Sequence, residues 1–352
     1  KLHDVKRDDT MKRYTANILG ALTAVGMIMA GATASHAAEW KYAIEEGFND
    51  PQGMYALKFK EEIEKNSDHT VKIYPVGTLG ESTDAMEQLQ AGLLEFIDQS
   101  PGYTGAMIPE AEAVLVPYLM PSDPKQVNYF FKNGKAVNED FHAIYREHGL
   151  ELLSMFPEGE QAVTTMEEFR SPADLEGMKI RTMPSPLLLE TYKAFGASPI
   201  AMNWGELIGA LKTNMVDGQE NPTVWIEAYG LDDLTKVLTY TGHNHYVTAV
   251  MANADFYDGL SAEDQKLIQD ATTAALDYIL EEAVDLDALG LGRIVRTNPG
   301  YKIVTLTEEE RAAFKARAGQ VEEAFVARAG ARGQAIIDQM KKDLEEAAKA
   351  VQ

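Results

Sequence analysis

Trp40-Lys41-Tyr42-Ala43-Ile44, Val71-Lys72-Ile73-Tyr74 and Glu95-Phe96-Ile97 are three short apolar runs, and the chain between them has helical spacing. Ala56, Phe59 and Ile63 share one helical stripe, and Met86, Leu89 and Leu93 share another. Asn66-Ser67-Asp68 is a turn signal between a helix and the strand that follows. The order is therefore β-α-β-α-β, which predicts a mostly parallel sheet covered by helices. A second unit of the same kind begins near Leu150. Glu151 to Phe156 and Met178 to Arg181 read as strands, and Leu187 to Phe195 as a helix reached through Pro184 and Pro186. Asn203-Trp204-Gly205-Glu206 has the pattern of a capping box opening another helix. Val237 to Tyr240 and Val247 to Met251 are further strands, and from Ser261 onward the chain is mainly helical, acidic and Ala-rich. No long linker separates the units, as expected for two α/β lobes that interleave in sequence.

The chain has 352 residues, which at roughly 150 residues per domain corresponds to about two domains. With 45% hydrophobic and 25% charged residues it can bury real cores, which excludes intrinsic disorder. It has no cysteine, which excludes a disulfide scaffold, a cysteine nucleophile, a thiolate zinc site and iron–sulfur chemistry. A net charge of −23 argues against nucleic acid and anionic membrane surfaces as partners.

Met11-Lys12-Arg13, the apolar run Ile18 to Ala30, and the small residues up to Ala37 have the order of a secretory signal, with Ser35-x-Ala37 suiting cleavage. The residues before Met11 read as upstream sequence. The remainder has no second apolar run of membrane length, so the expectation is a soluble, exported, periplasmic protein.

Several chemistries leave no trace. There is no Gly-rich dinucleotide fingerprint, no phosphate-cradling loop and no Gly-x-Ser-x-Gly elbow. His243 and His245 are the only tight histidine pair, and on a strand they would share a face. Spacing supplies no third ligand for a metal. Glu158-Gly159-Glu160 reads as a solvated loop rather than an acid pair. No cofactor or metal is expected, and an enzyme has little support; a metal-dependent periplasmic enzyme using the two histidines is the alternative from a different class.

Other residues suit a small charged molecule. Arg181 ends a strand, and ligands of open α/β sheets lie beyond strand carboxyl ends. Its guanidinium matches a carboxylate in bidentate fashion, although a structural ion pair would look the same in sequence. Asn221, held extended by Pro222, can donate to the same carboxylate. Tyr103, Trp204 and Tyr246 each sit at an element boundary, where an aromatic face can meet a cation. Glu46 follows the first strand, beside Glu45, and offers a carboxylate to a cationic ligand.

Gly177 to Arg181, Gly218 to Pro222, Leu79 to Ser82 and Pro117 to Leu119 resemble the substrate-binding proteins of tripartite ATP-independent periplasmic (TRAP) transporters, and the similarity covers essentially the whole chain after the signal. The resemblance implies a two-lobed α/β fold like that of type II periplasmic binding proteins, with a long hinge-spanning helix and a helical C-terminus. Lobe I is expected to comprise residues 38–158 and 247–286. Lobe II is expected to comprise 159–246 and 287–352, with the C-terminal helices. The resemblance further implies a monomer that closes on one small solute and hands it to a small and a large membrane subunit. Within the family the chain is most similar to the ectoine-binding branch, through Tyr42 to Glu46, Gln99 to Gly102, Met155 to Glu160 and Tyr192 to Ala197. By that similarity Arg181 and Asn221 hold a carboxylate, Trp204, Tyr103 and Tyr246 box a delocalised cationic ring, and Glu46 pairs with it. Glu45, Glu158, Gln161 and His245 complete the expected surroundings. The branch tends to carry Phe where this chain has Tyr103 and Tyr246, and acid-binding relatives carry a second arginine where it has Gln161. A zwitterion such as ectoine or hydroxyectoine is expected; another small amine such as ethanolamine, or an organic or sugar acid, is the alternative.

Overall fold

A computed structural model describes residues 37–351; the expected secretory signal lies outside the described residues. The strands are β1 (Glu39–Ala43), β2 (Thr70–Tyr74), β3 (Phe96–Gln99), β4 (Leu150–Thr165), β5 (Lys179–Thr182), β6 (Ser198–Ala201), β7 (Gly218–Asn221), β8 (Val237–Asn253) and β9 (Lys302–Thr305). They join in the order β2-β1-β3-β8-β4-β7-β5-β6, with β9 paired to β8. Each end of this sheet is a parallel β-α-β-α-β unit. At one end β2, β1 and β3 are connected by the helices Pro51–Asn66 and Ser82–Gln90; at the other, β5, β6 and β7 are connected by Pro186–Ala194 and Trp204–Lys212. The fold is the two-lobed α/β class.

The local chemistry explains these boundaries. Pro51 and Pro186 occupy the first turns of their helices, where a missing N–H costs nothing. Ser185 caps the second by accepting from the Leu188 N–H at 3.0 Å. The capping-box pattern at Asn203 is realised as Glu206 accepting from the Asn203 N–H at 3.1 Å.

The long strands β4 and β8 join the lobes. They run antiparallel from Leu150↔Asn253 to Thr165↔Val237. The first half of β4 lies in the sheet of one lobe and its last residues pair with β7 of the other. Here the sequence reading stops short, because Pro157 and Gly159 look like a strand end and Gly242 to His245 look like a loop. Both strands instead continue through bulges between Pro157 and Gly159 and between Glu160 and Ala162. A bulge accepts a residue that cannot join the ladder, and Gly242, with φ 67°, takes a left-handed conformation costly for other residues. Glu158 consequently lies on a strand and is fully buried, not in a solvated loop.

The helix Ala262–Thr297 also spans both lobes. It packs on Pro51–Asn66, on β4, and on the helix Thr223–Ala228. Gly290 permits that last approach: a Cβ there would lie 2.8 Å from the Val224 backbone nitrogen. Each half of the sheet is covered on both faces. Trp40, Tyr42, Phe59, Phe96 and Ile279 fill one layer, and Phe130, Tyr145, Met251 and Ile337 the opposite one. Leu207, Ile226 and Leu238 cover one face of the other lobe, and Ile180, Phe195 and Phe314 the other. Full burial of each such side chain contributes about 1.5–3 kcal/mol. The C-terminal helix Ala318–Ala350 bends at Gly330 and packs on residues 109–115, 124–133 and 186–194. No described helix is long and apolar enough to cross a membrane.

Candidate functional site

Strands β1, β3, β5 and β7 all send their carboxyl ends toward the groove between the lobes, and the candidate residues sit at or just beyond those ends. Arg181, on β5, is 2% exposed. Its Nε and Nη2 donate to the Met202 carbonyl at 3.1 and 2.9 Å, and Nη2 also donates to Tyr103 Oη at 3.2 Å. Among the described residues it has no carboxylate partner, and its Nη1 makes no hydrogen bond. The guanidinium is thus fixed in place by neutral groups with Nη1 uncommitted. Gln219 stands opposite Arg181 in the β5–β7 register, and the Asn221 amide donates to Gln219. Residues paired across parallel strands share a face, as do i and i+2, so Asn221 lies on the Arg181 side of the sheet.

An aromatic box adjoins this end. The Trp204 ring is 5.9 Å from Arg181 Cζ. It meets Trp225 and Tyr229 edge-on, with centroids 5.0 Å away in both cases. Trp225 lies 5.3 Å from Tyr246, which comes from β8. A cavity of about 270 Å³ opens beside the box, with Glu45, Asp98 and Trp204 in its lining.

The far end is acidic. Glu45, Glu46, Asp98 and Glu158 are all buried. Glu158 accepts from Gln52 Nε2 at 3.2 Å, from Trp225 Nε1 at 3.0 Å and from Thr248 Oγ1. Glu46 accepts from the Gln52 N–H at 2.7 Å and lies beside Glu158. Burial, followed by the Glu158 charge, holds Glu46 well above the usual carboxylate range. Glu158 is also raised by burial, against the pull of its donors. Burial lifts Asp98 well up despite its hydrogen bond from Tyr42. Burial pushes Glu45 up to about 7, opposed by the Ser82 hydroxyl and the Ser100 N–H. Among the described residues no basic side chain pairs with the four acids, and one oxygen each of Glu45, Glu46 and Asp98 is buried without a partner. Desolvated acids without a base disfavour their own ionisation and would be relieved by a cation.

The architecture and site correspond to a known group. The profile of bacterial extracellular solute-binding protein family 7, the DctP family, matches residues 42–329. The chain belongs to this family.

Two relatives of this family 7 protein are similar along nearly their whole length. The ectoine/5-hydroxyectoine-binding periplasmic protein of Ruegeria pomeroyi is 50% identical over 328 residues, covering 92% of this chain and 96% of the relative. The ectoine-binding periplasmic protein of Halomonas elongata is 50% identical over 336 residues, covering 95% and 98%. Among solved structures, the ectoine-binding protein of the Halomonas elongata TRAP transporter has a TM-score of 0.87 at 51% identity, covering 88% of this chain and 99% of that one. Its apo state has a TM-score of 0.77 at 50% identity with the same coverage. In this family 7 chain the two lobes touch across the groove: Tyr229 donates to Asp50 at 3.1 Å, Trp225 reaches Glu158, and the Gly205 N–H points at Glu81, 3.4 Å away.

The structure brings Arg181, Tyr103, Trp204, Tyr246, Glu45, Glu46 and Glu158 into one cluster, with Asn221 on the same side. Gln161 sits at the β4 bulge, and its Oε1 is buried without a partner. His245 is placed apart from the box. It bonds the Pro121 carbonyl at 2.9 Å and lines a different cavity with Glu160 and Asp287. His243 is engaged by Glu220 at 3.0 Å. Sequence reasoning misses Trp225, Tyr229 and Asp98. Trp225 carries a usable signal, since it falls in the helical turn just after Asn221-Pro222, beyond a strand's carboxyl end. Asp98 carries none, because one acid on a short strand does not reveal which way it points.

The raised Glu45 links affinity to pH. A cation beside it favours the ionised form, so binding releases a proton wherever the free protein holds one. Affinity for a cationic solute is expected to strengthen from pH 6 to pH 8, by up to about tenfold per unit on the acid side of 7. Calorimetric titrations across that range, in buffers of different ionisation heat, read both the trend and the proton released. A flat profile would contradict it.

Proposed function

We propose that this protein captures a small zwitterion of the ectoine type, a carboxylate joined to a ring bearing a delocalised positive charge, without transforming it. The observation that carries this reading is the opposite character of the two ends of one aromatic box. Among the described residues, one end holds a buried guanidinium with no acid paired to it, and the other holds four buried carboxyls with no base paired to them. In this arrangement Arg181 and Asn221 take the carboxylate, Trp204, Trp225 and Tyr246 enclose the ring, and Glu45, Glu46 and Glu158 face its charge. An amine such as ethanolamine leaves the guanidinium unpaired, and a dicarboxylate or sugar acid is repelled by the acids.

The solute contacts both lobes together only when they are shut, so binding shifts the population toward the closed form. We place the boundary at the bulges of β4 and β8, with residues 38–158 and 247–286 on one side and 159–246 and 287–352 on the other. The relatives are TRAP components, and the loaded protein is expected to deliver its cargo as a monomer to a small and a large membrane subunit.

Titration calorimetry with ectoine, 5-hydroxyectoine, ethanolamine and succinate tests the reading. Saturable binding of the two zwitterions is expected, and each is recovered chemically unchanged. Binding of succinate with neither zwitterion bound would overturn it.

A further inference from the structure

Three phenols border the box. The Tyr229 hydroxyl donates to Asp50 at 3.1 Å, and the Tyr103 hydroxyl accepts from Arg181 at 3.2 Å. The Tyr246 hydroxyl makes no hydrogen bond to any described residue, although Tyr246 is only 3% exposed. The oxygen is not among the sealed atoms that lack a partner, so it is open to a molecule in the groove, and a phenol enclosed by a bound solute is normally paired. A phenylalanine would pack against Trp225 equally well, so the oxygen contributes nothing visible to the fold. Glu158 is already engaged by Gln52, Thr248 and Trp225, and Glu46 by Gln52.

We propose that the Tyr246 hydroxyl is a hydrogen-bonding group for the solute, giving this protein a preference for a zwitterion with a ring hydroxyl over its unhydroxylated counterpart; the preference rests on the zwitterion reading above. The phenol can donate to an alcohol or accept from it, and the alcohol can do the same in return. An aromatic face alone discriminates poorly between a ring and its hydroxylated form. A site that hydrogen-bonds the hydroxyl discriminates well, because the plain ring leaves a buried polar atom unpaired on the protein. Tyr246 packs on Trp225 between Glu45 and Glu158 on one side and Tyr103 on the other, so its hydroxyl stands along the ring, between the two ends of the box.

The test measures Kd for ectoine and 5-hydroxyectoine by calorimetry on the wild-type protein, Tyr246→Phe and Tyr103→Phe, with thermal unfolding to verify that each variant folds. The wild-type protein is expected to bind 5-hydroxyectoine about tenfold more tightly. Tyr246→Phe is expected to bring the two affinities together. Tyr103→Phe, altered at the guanidinium end, is expected to weaken both alike and keep the preference. Equal wild-type affinities overturn the proposal. So does a preference that survives in Tyr246→Phe, or a Tyr246→Phe that weakens both solutes equally. In each of these cases both zwitterions still bind and the broader reading stands. Binding of neither by the wild-type protein overturns both.

Discussion

Arg181→Ala should abolish useful solute binding while leaving the fold intact. Arg181 is buried, and its only bonds among the described residues go to the Met202 carbonyl and the Tyr103 hydroxyl. No acid depends on it, so its removal strands no charge in the empty protein. In the proposed complex it is the cation that meets the solute carboxylate. Truncating one partner of a desolvated, hydrogen-bonded charge pair costs about 2–5 kcal/mol, so affinity should fall on the order of 10² to 10³-fold. Arg181→Lys keeps the charge but loses the planar fork, and should fall between. Calorimetry gives the loss, and thermal unfolding gives the control. A Kd within tenfold of wild type for Arg181→Ala would remove the carboxylate end from the model of binding.

Glu46→Gln should move stability and affinity in opposite directions. Glu46 is held well above the usual carboxylate range by burial and by the neighbouring Glu158 charge. Glutamine imitates the uncharged form that this burial favours. A carboxyl whose folded pKa is raised contributes stability below its unfolded pKa and loses it as pH rises toward the folded value. The variant escapes that loss. Its stability should match wild type near pH 4 and exceed it increasingly toward pH 8. The same change removes a negative charge that a bound cation would recruit, and affinity should drop on the order of 10 to 10²-fold. Melting curves at several pH values, paired with titrations, check both halves. A variant that loses stability at pH 8, or keeps full affinity, would show that Glu46 serves packing rather than the solute.

Much of this was legible in the residues. Alternating apolar positions in Trp40 to Ile44 and the stripe Ala56, Phe59 and Ile63 report local backbone geometry, and local geometry is what periodicity encodes. The placement of Arg181 and Asn221 was legible because they lie at the carboxyl ends of β5 and β7, and such ends face the groove. The continuity of β4 and β8 was not. Pro157, Gly159 and Gly242 are breakers by local preference, and only the partner strand across the ladder overrides them. Glu158 was misjudged for the same reason: its neighbours predict solvent, and its burial comes from Gln52, Trp225 and Thr248, distant in sequence. Trp225 and Tyr229 carry helical spacing that fits a core equally well, so only the three-dimensional arrangement shows them walling a site.

Glu158, Gln161 and Tyr246 do not sit on loops hung from the two lobes. They belong to the ribbon of β4 and β8 that runs through both, close to its bulges. The receptor and the spring are therefore one piece. A molecule shut for only about one part in a hundred of the time binds roughly a hundredfold more weakly than its own fit would allow. Stiffening or loosening that ribbon away from these side chains is thus expected to retune how tightly cargo is held.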